Sequence, residues 1–147
     1  MKKILFLAIL ALILLLEYSC RPQSKGFALP KGDIENGKVA FFELGCNHCH
    51  YAGEIEWIGN PEDIRIRLGG PTHEVKTYGE LVSSIINPSH KIAPRFRDTV
   101  TDESGDSKMR MYNEVMTVQD LVDIVTFLQE AYEITPPSEN YYVYELK

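Results

Sequence analysis

Glycine-rich phosphate loops, internal repeats and strand-rich stretches are all missing from this sequence. Phosphate-cradling nucleotide enzymes, solenoid arrays and sheet-built folds are therefore not indicated. Basic residues are in the minority, with 15 Lys and Arg against 21 Asp and Glu and a formal net charge of −6. An acidic domain does not seek nucleic acid, and any steering by its field is toward a basic protein surface. Cysteine is scarce at three residues, and only one C-x-x-C is present. A zinc site built on it would need a second ligand pair, and a thioredoxin-like couple would need a βαβ context that is missing. No acid–base pair or activated nucleophile is apparent near the cysteines, so the chain is not expected to be an enzyme by itself. Nor does any apolar run reach the roughly 20 residues of a comfortable membrane span.

One shorter apolar run is present. Met1-Lys2-Lys3 is a basic start and residues 4–16 are unbroken apolar, the pattern of an export signal. The following "LEYSC" presents Cys20 where processing is expected. Acylation of that cysteine would anchor a soluble domain to a membrane and would account for the odd thiol. Glu17 stands where a lipobox favours an aliphatic residue. The organisation read from composition is an export signal or anchor at 1–19, a Pro/Gly/Ser-containing tether at 20–32, a domain at 33–133 and a tail at 134–147.

Helical signals dominate the domain. Asp33 is a candidate N-cap for "IENGKVAFFELGC". Thr77 and Glu80 form a capping box ahead of "LVSSIINP", and Asn87-Pro88 stops that helix. Thr117 caps the last helix with Asp120 at its third position, and Met116 is placed to pack on Leu121. Leu121, Ile124, Val125, Leu128 and Tyr132 fall on one face, and Pro136-Pro137 is the expected stop. Gly37 and Phe41 should meet Phe127 or Leu128. Residues 51–76 read as loop and 98–108 as a polar surface loop. Three helices around long loops make a thin core, so a large ligand serving as part of it is expected.

The chemistry lies in "CNHCH", residues 46–50. C-x-x-C-H is the attachment signature of c-type haem. Cysteines three apart on a helical face can both bond one edge of a porphyrin, and the next residue offers an imidazole to the iron. Cys46 and Cys49 are thus the attachment residues and His50 the proximal ligand, with one haem c per chain. His48 is expected to face solvent.

From the haem motif outward the chain resembles the class I monohaem cytochromes c over about residues 33–131. A glycine-bearing helix leads into the motif ("GKVAFFELGCNHCH"), a Gly-Pro segment follows ("LGGP"), and then a helix ends in "NP" ("ELVSSIINP"). A methionine ahead of the last helix completes the order. The resemblance implies an all-α, cytochrome c-like fold with three main helices and long loops around a covalently bound haem. The function it implies is one-electron transfer between membrane-associated redox partner proteins. The domain would lie on the periplasmic side of a bacterial inner membrane, held there by the N-terminal segment or by lipid on Cys20. Alternatives are a cytochrome subunit of a larger respiratory complex, or a haem-based sensor or ligand binder. The sixth ligand is to be found among Met109, Met111, Met116, His73 and His90. Met109 matches the family spacing best and has Tyr112 at the aromatic position; Met111 is the alternative. Arg110 replaces the family's proline. The resemblance also implies that the Pro71 carbonyl orients the proximal histidine. Trp57, Tyr78, Arg65 and Arg67 are candidates to partner the haem carboxylates.

Overall fold

The computed structural model describes residues 29–136. The export segment 1–19, Cys20 and most of the tether and tail lie outside the described residues. No helix among the described residues is long and apolar enough to cross a membrane.

Helix α1 (Ile34–Glu43) starts where Asp33 predicts: its carboxylate accepts the Asn36 N–H at 2.9 Å. The helix ends at a left-handed glycine, Gly45 at φ 71°. Only glycine adopts that conformation without strain from a Cβ, so the chain turns here rather than carrying the helix into the cysteines. A 3₁₀ turn (Cys46–His48) follows, then β1 (His50–Ala52), β2 (Ile66–Leu68) and β3 (Gly70–Thr72). Helix α2 (Tyr78–Ile86) has the complete Thr77–Glu80 capping box. A one-turn helix α3 (Arg97–Val100), helix α4 (Val118–Ala131) and strand β4 (Tyr132–Ile134) complete the order. The Thr117–Asp120 box at the head of α4 is also complete.

An all-α, cytochrome c-like architecture is not what is observed. Four helices are combined with short strands in a mixed fold. Strand β1 pairs parallel with β2, His50 opposite Ile66, and β3 pairs parallel with β4, Gly70 opposite Tyr132. Part of the segment expected to be loop is therefore hydrogen-bonded ladder. The last helix also stops short of Pro136. It ends at Ala131 because Tyr132 turns extended and enters β4.

The core lies between α1 and α4, with α2 against the latter. Phe41 and Phe127 meet edge to face at 5.7 Å between centroids. Val122 and Phe127, outside the predicted face, are also buried, so α4 is covered over more than that single face. The buried Asp123 accepts the Asp33 N–H at 2.7 Å and a Gln119 amide N–H at 2.8 Å, tying the start of α1 to α4.

Candidate haem site

The 3₁₀ turn sets the geometry of the motif. With three residues per turn, positions i and i+3 eclipse, and the Cys49 N–H closes on the Cys46 carbonyl at 3.2 Å. Cys46, Cys49 and His50 all line one cavity of about 320 Å³, against the walls formed by β2, the residues after α2, and 107–112. A smaller cavity of about 120 Å³ continues inward toward Leu68, Ile85, Ile124 and Leu128. Cys46, His50, Met109 and Tyr112 border both. The larger volume lies at the lower end of the roughly 300–1,000 Å³ range of small-molecule and cofactor sites, and both linings are mainly apolar.

Electrostatics separates the possible roles of the motif. Burial pushes the Cys46 thiol up to about 11, and burial followed by the Asp63 charge raises Cys49 as well. A nucleophilic or redox-active dithiol needs the opposite shift, toward thiolate. The two sulfurs are unpaired in this structure. Although two cysteines and two histidines sit within five positions, no three His, Cys, Asp or Glu side chains converge among the described residues as a metal-binding group. His48 is exposed, with its ring nitrogen 3.0 Å from the Gly45 carbonyl. His50 is partly buried, and desolvation lowers its pKa, with the backbone of Ile66 offsetting that in part. A neutral imidazole is the form that can ligate a metal.

Of the residues proposed for the sixth position, Met109 borders both cavities, whereas Met111 is 56% exposed and borders neither. Met116 packs against the core and lines the inner cavity. His73 and His90 bond backbone carbonyls of Thr135 and Asn87, at 2.9 and 3.1 Å, and line neither cavity. Pro71 is exposed in β3, and His50 Nδ1 is buried with no hydrogen-bond partner, so the expected Pro71 contact is not made. Trp57, Tyr78, Arg65 and Arg67 are also absent from both linings. Trp57 donates to the Ile64 carbonyl at 3.3 Å, and the Arg65 guanidinium lies 5.1 and 5.2 Å from the Trp57 and Tyr51 rings. Tyr78 buries its hydroxyl without a partner.

Among the described residues, the cations that line the larger cavity are Lys91, Lys108 and Arg110, and no Asp or Glu lines it. Sequence reasoning missed them, although Lys108 and Arg110 flank Met109 directly. In an acidic chain, a cavity bordered by positive charges alone suits a ligand with carboxylates on an apolar body.

Searches of protein-family models, of curated proteins and of solved structures found no match to this chain.

Proposed function

We propose that this protein is a one-electron carrier with one c-type haem joined covalently to Cys46 and Cys49, and with His50 and Met109 as axial ligands. The observation that carries this reading is the shared lining: both cysteines, the histidine after them and Met109, about sixty residues later, border the same largely apolar cavity. The residues fit the group in further ways. The two cysteines sit three apart across one turn, burial shifts the His50 imidazole toward its neutral form, and Lys91, Lys108 and Arg110 border the cavity where the two carboxylates would need positive charge. Raised thiol pKa values disfavour a thiolate redox couple, so a covalent role suits these cysteines better.

The haem supplies the one-electron change when bound. The chain's own work is to hold, shelter and tune it. His50 and Met109 would hold the iron, and a thioether ligand would favour the ferrous state and a higher potential than two imidazoles. The apolar walls exclude water. In the same reading residues 1–20 export the domain and keep it at a membrane surface, where redox partner proteins are met.

Absorption spectra of the purified protein in both oxidation states, with its intact mass, test the proposal. A polypeptide at its bare mass, without visible absorption after expression in a host that attaches haem, refutes it. The ferric protein is expected to show the far-red sulfur-to-iron charge-transfer band. Met109→Ala should abolish that band and Met111→Ala should leave it. Ready carbon monoxide binding by the untreated ferrous protein would indicate a ligand-binding function instead.

A further inference from the structure

Among the described residues, Tyr112 is the one Phe, Tyr or Trp that borders both cavities. It is 8% exposed, and its hydroxyl donates to the Leu44 carbonyl at 3.2 Å across 68 positions of sequence. Leu44 is the last residue before the left-handed Gly45, so this bond lands at the entry to the cysteine turn. On the other side the Arg110 guanidinium sits 5.7 Å from the ring centroid. The Tyr112 carbonyl accepts N–H bonds from Val115 and Met116 at 3.0 and 2.9 Å, which joins it to the approach to α4. Three residues upstream, Met109 is anchored through its N–H to Ser107 Oγ at 3.2 Å.

We propose that Tyr112 is the positioning residue for the sixth ligand: its hydroxyl fastens the loop bearing Met109 to the turn bearing Cys46. This inference rests on the haem reading above. Because one end of the fastening is the segment that holds the attachment sulfurs, it fixes the Met109 loop relative to the cofactor itself. Removing the hydroxyl leaves the Leu44 carbonyl without this partner and cuts the loop's hydrogen bond to the cysteine turn, leaving Tyr112 held there by its ring alone.

The test uses the full chain, loaded with haem, as the parent, Tyr112→Phe and Asn113→Ala. Asn113 is the control. Its side-chain amide donates to the Ile86 carbonyl at 3.0 Å from the same loop, but it borders neither cavity. Added imidazole competes with Met109 for the iron, and its affinity reads how firmly the thioether is presented. Tyr112→Phe is expected to keep the haem mass, weaken the far-red band and bind imidazole up to roughly tenfold more tightly, the scale of one net hydrogen bond. Asn113→Ala is expected to stay near the parent. An unchanged imidazole affinity in Tyr112→Phe overturns the proposal, as does an equal gain in both variants, which would mean general loosening. A parent with haem mass but no far-red band overturns the positioning role and the Met109 assignment while leaving attachment standing. A parent at bare polypeptide mass removes the haem reading and this inference together.

Discussion

Gly37 sits where α1 crosses α4, and an added Cβ there would fall 2.2 Å from the Asp123 carbonyl oxygen and 2.8 Å from Phe127 Cβ. Helix propensity alone favours alanine over glycine by about 1 kcal/mol. Overpacking against atoms that cannot swing aside costs about 1–3 kcal/mol, and here the obstacle is backbone. The clash should win. Gly37→Ala is expected to lower the urea midpoint, a net loss of up to about 2 kcal/mol. A contact of Gly37 and Phe41 with Phe127 or Leu128 was legible beforehand, because a glycine lets two helix backbones approach closely. The choice between Met109 and Met111 was only half legible. The family spacing favours Met109 over Met111 two residues on, and only the fold sets Met109 against the cavity and leaves Met111 exposed.

At the scale of elements, α2 depends on its cap. The Thr77 hydroxyl accepts the Glu80 N–H at 3.2 Å, and the Glu80 carboxylate accepts the Thr77 N–H at 3.1 Å. Thr77→Ala should cost about 1 kcal/mol in a denaturant titration. The Thr77 bonds, first the backbone N–H and then the hydroxyl, hold the Glu80 carboxyl below its ordinary value. A carboxyl depressed on folding contributes stability above its unfolded value near 4.5, and that contribution is lost as pH falls through the lowered folded value. The stability gap between the parent and Glu80→Gln should therefore narrow as pH drops below about 4.5; a constant gap down to full protonation would contradict it. Caps of this kind are local signals, which is why the starts of α1 and α4 and both ends of α2 were readable. Three-residue strands are not. His50–Ala52 is too short to show an alternation, and its partner Ile66–Leu68 lies beyond a long loop. The early end of α4 has the same cause, since only pairing with β3 makes Tyr132 extended.

For the molecule as a whole, the inner cavity bears on stability. An apolar void of about 120 Å³ left dry costs on the order of 3 kcal/mol, a sizeable part of the 5–15 kcal/mol that holds a domain together. If haem occupies this space, the Cys46→Ser/Cys49→Ser double variant, which cannot attach it, should melt well below the loaded parent in a thermal scan. Equal melting temperatures would show that the cleft does not need filling. The thin core was legible from helix count and length, but the cations bordering the cavity were not. Their placement depends on chain segments that meet only after the tertiary fold forms. The Asp33–Asp123 bond, which spans ninety positions, carries a consequence for timing. A chain that emerges from its N-terminal end presents the cysteine turn long before α4 has been made to roof it. If a group is joined to those sulfurs, the joining can work on an open thread, and the C-terminal elements would close over it only afterwards.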